Sequence, residues 1–330
     1  MTKATFFCDQ PDKLERVYDK GRRERVEALC DVYPDVVSRE NLGKHLTALR
    51  DIDVVFSTWG MFTPSPEQLD ALPDLKAVFY AAGSVRGFAG PMLERGISVV
   101  SAWAANGVPV AEFTVAQILL ANKGYFRNVR DCASPLTRPR SFAGPGNFGE
   151  TVALLGAGMI GRLVIERLRQ MDLHTLVFDP FLSGQEAEQL GVEKVSLSDA
   201  FRRGRVVSNH LANVPETRRL ITGAHFNSMR PDAVFINTGR GATVAEDEML
   251  DVLRERSDLT ALLDVTYPEP PQPDSPLYDL PNVLVSSHIA GSVGDEVVRM
   301  ADTVIEEFTA WQQGRPLRYS VNLKMLERMA

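Results

Sequence analysis

Thr151-Val-Ala-Leu-Leu-Gly156-Ala-Gly158-Met-Ile-Gly161 is the stretch that decides the fold. An apolar run leads straight into G-x-G-x-x-G, and apolar residues at helical spacing follow over 160–171. The three glycines have different tasks: Gly156 allows a tight turn, Gly158 lets a pyrophosphate approach the backbone, and Gly161 lets helix and strand pack closely. The new helix offers unpaired N–H groups and the positive end of its dipole to phosphates. Asp179 ends the next expected strand, 18 residues past Gly161. That is near the roughly 20-residue spacing at which a carboxylate meets ribose hydroxyls. A carboxylate there repels a 2′-phosphate, which favours NAD over NADP, with Arg162 as a counter-indication. Taken alone, the glycine run is also compatible with an ordinary strand–helix turn; strand, helix and acid together select the dinucleotide.

Outward from this stretch the periodicity alternates between short β-branched runs and longer helical segments, the mark of βαβ units. Strands are predicted at 152–155, 175–178, 206–210, 233–237, 260–264 and 283–286, with helices at 160–171, 198–203, 244–256 and 295–313. Six strands with intervening helices make a doubly wound parallel sheet. An earlier series has strands at 5–8, 54–57, 77–80 and 98–101 and helices at 12–29, 66–72 and 91–96. A long helix is expected from 108 to about 130, with Pro109 in its first turn, where a missing N–H costs nothing. Residues 134–150, rich in proline and glycine, read as a loop.

The 330 residues carry a formal net charge of −7, which argues against nonspecific nucleic-acid binding. Cys8, Cys30 and Cys132 form no disulfide framework, and neither cysteines nor histidines have metal-ligand spacing, so no metal is expected. Residues 1–27 are charged and lack an apolar signal region, and no membrane-spanning run is read. A cytoplasmic protein without membrane partners is the expectation.

Three more segments end strands of the later series: Asn237-Thr-Gly-Arg240-Gly, Asp264-Val-Thr-Tyr-Pro-Glu269-Pro and Ser287-His288-Ile-Ala-Gly291. Ligands of open α/β sheets gather outside the carboxyl ends of strands, so Arg240, Glu269 and His288 could converge there. Singly, Arg240 could be a surface pair, Glu269 a solvated loop charge and His288 a structural histidine. Together they match one chemistry. Hydride transfer to a ketone needs a proton donor, and histidine titrates near neutrality. A carboxylate beside it keeps the protonated form available, and a guanidinium grips a carboxylate in a planar fork.

In this order the motifs resemble the D-isomer-specific 2-hydroxyacid dehydrogenases, including glyoxylate/hydroxypyruvate reductase-like members. Val207-Ser-Asn-His210-Leu and Pro215-Glu-Thr217 fall between the glycine turn and Arg240, and Glu269 precedes His288 by 19 residues. The resemblance implies that an NAD(P)-binding Rossmann domain, 106–294, is inserted in a smaller flavodoxin-like substrate domain, 1–105 with 295–330. It assigns Arg240 to the substrate, Glu269 to supporting the histidine and His288 to acid/base work. The implied cofactor contacts are Gly156, Gly158, Met159, Ile160, Gly161, Asp179, His210, Leu211, Ala212, Thr217, Thr238, Gly239, Asp264 and Gly291. Ala82, Gly83 and Ser84, with Arg240 and His288, are implied for the substrate. Trp59-Gly-Met61-Phe62 would lie over the substrate or in packing. The sequence departs from the family pattern at Ser287 (proline is usual), Val85 (Asp or Asn is common) and Ala212-Asn213 (proline is usual after His210-Leu211).

The expected activity is interconversion of a small 2-keto acid and the D-2-hydroxy acid with NAD, by a homodimer whose two domains close to exclude water. The alternative is a non-enzymatic NAD(H)-sensing, corepressor-like protein of the same fold. An amino-acid dehydrogenase or NAD-dependent hydrolase would not call for this order of Arg240, Glu269 and His288.

Overall fold

A computed structural model describes residues 1–327. The chain forms two compact units, Met1–Gly107 with the chain from Ser292, and Val108–Gly291. The first begins with strands β1 (Lys3–Phe7), β2 (Asp31–Val37), β3 (Val54–Ser57), β4 (Ala77–Tyr80) and β5 (Ser98–Ser101). All pair in parallel, in the order β2-β1-β3-β4-β5. This is the flavodoxin-like arrangement, with its order reversing between β1 and β3.

The second unit contains β6 (Glu150–Leu155), β7 (Leu173–Phe178), β8 (Glu193–Lys194), β9 (Val206–Asn209), β10 (Val234–Asn237), β11 (Thr260–Leu263) and β12 (Val283–Val285). Their order is β8-β7-β6-β9-β10-β11-β12, parallel throughout, so the order reverses between β6 and β9. The chain then returns to the first unit, where β13 (Ser320–Val321) pairs antiparallel with β5. The architecture is the doubly wound Rossmann sheet inserted in a flavodoxin-like unit that the sequence implies.

Side chains alternate across the second sheet as a strand's twofold period demands. Ala153, Leu155, Val207, Phe235, Ala261 and Leu263 pack on one face with Phe201 and Phe226. Val152, Leu154, Val206, Val234, Ile236 and Leu262 pack on the other with Val164 and Ile165. Both faces are covered, which is why these strands read as near-continuous apolar runs.

Several local expectations are corrected. The helix expected at 12–29 is two, Pro11–Val17 and Arg22–Leu29, broken where Lys20 and Gly21 take positive φ. The helix expected from 108 starts earlier, at Trp103, so Pro109 lies inside it. It ends at Asn122, and a second helix, Tyr125–Asp131, follows Gly124 at φ +71°. At 20 residues and mean hydropathy 1.3, Trp103–Asn122 is long and apolar enough to cross a membrane, contrary to the reading that no such run exists. Half of it is buried, with Ala111, Ile118 and Ala121 in the core of the second unit. Strand β2 was not anticipated. It carries Pro34 and exposed Asp35 because it is an edge strand, where a missing ladder donor is tolerated.

Phe235 is 1% exposed, stacks on Phe201 and meets Phe226 edge to face with ring centroids 5.0 Å apart. Phe235→Ala is expected to cost about 3–5 kcal/mol of stability. Urea titration measures it, and a loss below about 1 kcal/mol would mean that this cluster repacks freely.

Candidate active site

The glycine turn lies at the reversal of strand order. Gly156 has φ +100°, and a Cβ on it would sit 3.0 Å from the carbonyl oxygen of His210, which follows β9. A Cβ on Gly161 would sit 2.1 Å from the carbonyl oxygen of Gly156, so the helix approaches the strand only because no side chain is there. At Gly158 a Cβ would meet nothing within 4 Å. The helix Met159–Leu168 has Gly158 as N-cap and no side-chain cap, which leaves the N–H groups of Met159, Ile160 and Gly161 available to an anion.

Asp179 is pinned beside this turn. One carboxylate oxygen accepts the Ala157 N–H at 2.7 Å and the other the Phe181 N–H at 2.7 Å. A carboxylate has about four acceptor positions, so two remain for hydroxyl donors. His210 is on the other side of the reversal. Its Nε2 meets Ser208 Oγ at 3.0 Å, and its Nδ1 is buried without a partner. Burial pushes the imidazole down to about 4, so the ring is neutral near pH 7. Open space at Gly158, uncapped amides and an orphaned buried nitrogen together fit a dinucleotide's phosphates and ribose.

Leu211 donates its N–H to Asn209 Oδ1 at 3.2 Å. Thr217 spends its hydroxyl locally: it donates to the Ala212 carbonyl and accepts the Val214 N–H at 3.0 Å, folding the 212–217 loop. Thr238 is buried against Thr114, hydroxyl to hydroxyl at 3.1 Å.

Two residues quoted in the motifs without a role prove central. Asn209 and Asn237, fully buried at the ends of β9 and β10, share a hydrogen bond of 3.0 Å. Asn209 Nδ2 also reaches Thr243 Oγ1 at 2.9 Å, and Asn237 Oδ1 accepts the Gly239 N–H at 3.1 Å. Thr243 donates to the Arg240 carbonyl at 2.7 Å. The backbone at Arg240 is thus held by a closed polar lattice. The available signal was an amide residue ending each of two adjacent apolar strands.

Arg240 itself is half-buried. Its Nη1 donates to the Gly239 carbonyl at 2.8 Å, and among the described residues it makes no ion pair within 4.0 Å. Burial lowers its pKa and the charge of Glu269 opposes that. His288 Nδ1 and Glu269 Oε1 are 2.5 Å apart, while the imidazole remains half exposed. A proton on Nδ1 held by the carboxylate leaves Nε2 to face a ligand.

His288 has φ +58°, rare outside glycine. The cause is Asp264, only 3% exposed. Its carboxylate accepts Ser286 Oγ at 2.6 Å and the N–H groups of Ile289 and Ala290 at 2.8 and 2.9 Å, closing the segment that leads into Gly291 around it. These bonds make Asp264 the anchor of the histidine segment.

In the first unit, Thr58 Oγ1 donates to the Ala81 carbonyl at 2.8 Å, and Ser101 Oγ to the carbonyls of Ala82 and Gly83. The loop's carbonyls are therefore tied down. Phe62 is a core residue stacked on Phe7 at 5.3 Å, while Trp59 and Met61 are partly buried against the same core.

Residues 115–290 match the family profile described as D-isomer specific 2-hydroxyacid dehydrogenase, NAD binding domain. Among curated proteins, the D-3-phosphoglycerate dehydrogenase of Mycobacterium leprae is 30% identical over 309 residues, 93% of this chain and 58% of its own length. That of Archaeoglobus fulgidus is 31% identical over 234 residues, 71% of this chain and 44% of its own length. The chain spans about half the length of these relatives. Among solved structures, the apo form of D-mandelate dehydrogenase from Rhodotorula graminis has the same fold, with a TM-score of 0.80 at 19% identity over 98% of each chain.

The neutral, buried His210 has a consequence for stability. Its folded pKa, about 4, lies below the ordinary histidine value of 6.5. Between those values the unfolded chain binds a proton that the folded chain does not, so acidification from 6.5 towards 4 lowers stability. The contribution is on the order of 3 kcal/mol. Urea unfolding of His210→Gln between pH 4 and 7 should show a shallower acid slope than the unmodified chain. Equal slopes would mean that His210 is protonated in the fold.

Proposed function

The chain belongs to the D-isomer specific 2-hydroxyacid dehydrogenases, and from that membership we propose that it interconverts a small 2-keto acid and the D-2-hydroxy acid with NAD. The observation that carries the proposal is the His288–Glu269 contact of 2.5 Å in the same unit as Arg240, half-buried and without an ion partner among the described residues. Gly156, Gly158, Met159, Ile160 and Gly161 would hold the pyrophosphate, Asp179 the ribose hydroxyls, and His210, Leu211, Ala212, Thr217, Thr238, Gly239, Asp264 and Gly291 the surroundings of the remaining nucleotide. When bound, the nicotinamide supplies or accepts the hydride.

The chain's own residues then have defined tasks. Arg240 grips the substrate carboxylate and polarises the carbonyl through its planar fork. In reduction, His288 Nε2 gives a proton to the carbonyl oxygen; in oxidation it takes the hydroxyl proton. Glu269 holds Nδ1–H, fixes the tautomer and stabilises the charged ring. Small 2-keto acids such as glyoxylate, hydroxypyruvate or a related compound are the substrates proposed for this set of groups.

The proposal includes a homodimer. Leu136 and Phe148 are each 88% exposed and Val129 55%, apolar side chains that a second copy would cover. Sedimentation should give a dimer for the unmodified chain and a shift toward monomer for the Leu136→Asp, Phe148→Asp pair; a monomer throughout would remove this part of the proposal.

The main test is NADH oxidation against a panel of 2-keto acids, phosphorylated and unphosphorylated. His288→Ala is expected to lower kcat by roughly 10²–10⁴-fold, with NADH binding retained. Glu269→Gln should lower it less and change the pH profile of kcat. Tight NADH binding without turnover of any acid would sink the dehydrogenase reading.

A further inference from the structure

Arg162 follows the last glycine of the turn, and its guanidinium is held at two points. Nε donates to the Ala157 carbonyl at 2.9 Å, and Nη2 donates to Glu186 Oε1 at 3.1 Å. Ala157 is also the residue whose N–H is accepted by Asp179. One residue of the turn therefore carries Asp179 on its N–H and Arg162 on its carbonyl, and Arg162 is paired with a second carboxylate. Glu186 is fixed by the capping box of the helix Gly184–Leu190: its Oε2 accepts the Ser183 N–H at 3.0 Å and Ser183 Oγ at 2.9 Å. Glu186 thus pairs with a guanidinium that is anchored on the same turn residue as Asp179, beside the place where an adenosine ribose would meet Asp179.

We propose that Glu186 is a positioning residue for cofactor choice: it restrains and neutralises Arg162, so that this cation cannot receive a 2′-phosphate and the site selects NAD over NADP. The inference rests on the reading of 156–161 as a dinucleotide turn and deepens it. Asp179 repels the extra phosphate directly, whereas Glu186 withholds the one guanidinium that could reward it. Removing Asp179 alone then leaves a site that is close to neutral and still closed to the phosphate. Removing both carboxylate charges leaves Arg162 as the net charge, and a guanidinium pairs with phosphate through charge-assisted, bidentate bonds.

The test measures dissociation constants of NADH and NADPH by quenching of protein fluorescence, without any substrate. Glu186→Gln is the informative change, because glutamine at this position preserves the capping box while removing the charge. Glu186→Gln alone should lower the discrimination against NADPH severalfold. In an Asp179→Ser background it should tighten NADPH about tenfold beyond Asp179→Ser alone, in line with a charge-assisted contact. Adding Arg162→Gln should abolish that gain while leaving NADH affinity within a few-fold, which a purely structural role of Glu186 would not produce. A gain that survives Arg162→Gln, or no difference between Asp179→Ser with and without Glu186→Gln, would overturn the proposal. Failure of the unmodified chain to bind NADH would overturn the dinucleotide reading itself, and this inference with it.

Discussion

Parallel pairing of β6 to β12 forces every carboxyl end of the second unit's sheet onto one edge. The loops leaving that edge carry Gly156, Asp179, His210, Arg240, Asp264 and the start of the Glu269 segment. Residues more than 100 positions apart in sequence therefore share one edge without long excursions of the chain. The reversal of order between β6 and β9 does the rest, since the two loops beside it diverge to opposite faces and leave a crevice. Glycine at 156 is a direct consequence: the His210 carbonyl arrives from the neighbouring loop and leaves no room for a side chain.

The reactive end depends on a smaller device at the same edge. A non-glycine residue in the left-handed region costs about 1–3 kcal/mol, and His288 persists there. Asp264 offsets that cost with three hydrogen bonds from the segment that contains the histidine. Hydrogen bonds to a charged group contribute about 1.5–3 kcal/mol each, so the anchor outweighs the strain. The consequence is functional: the imidazole is presented from a stiff turn, and Glu269 needs only to orient it. Ser287, where the family has proline, occupies a segment already fixed from both sides by the bonds of residues 286, 289 and 290, which explains why that substitution is compatible with the same backbone.

Much of this was legible before the structure. Apolar runs of the second unit gave the six main strands, because burial on both faces leaves little ambiguity in periodicity. Glycine spacing and the order of Arg240, Glu269 and His288 located the edge that bears the site. What stayed hidden has physical causes. Strand β2 has an exposed, proline-containing sequence that only an edge position explains. The helix start at Trp103 was masked by Pro109, which signals a first turn but sits one turn and a half further in. The lattice of Asn209, Asn237 and Thr243 could not be read because the pairing of polar side chains across strands depends on register. The hydrogen bonds from Ser286, Ile289 and Ala290 to Asp264 were likewise hidden; from sequence, an acid at a strand end does not show that it also anchors a neighbouring turn.

A net charge of −7 does not favour anionic ligands, yet surface charges beyond a Debye length of about 8 Å are screened. Local groups decide. Several other arginines are neutralised by carboxylates: Arg203 by Glu193 at 2.6 Å, Arg256 by Asp258 at 2.7 Å, Arg22 by Asp302 at 2.7 Å. Arg240 is more deeply placed than these and has no such partner among the described residues. A guanidinium cannot shed its proton near neutral pH, so the fold retains a charge that burial disfavours. Two neighbouring glycines and an asparagine lattice hold it there at some cost in stability. In the proposed reaction an arriving carboxylate would supply the missing countercharge in surroundings where water competes weakly, so the interaction would be strongest for the ligand that completes it.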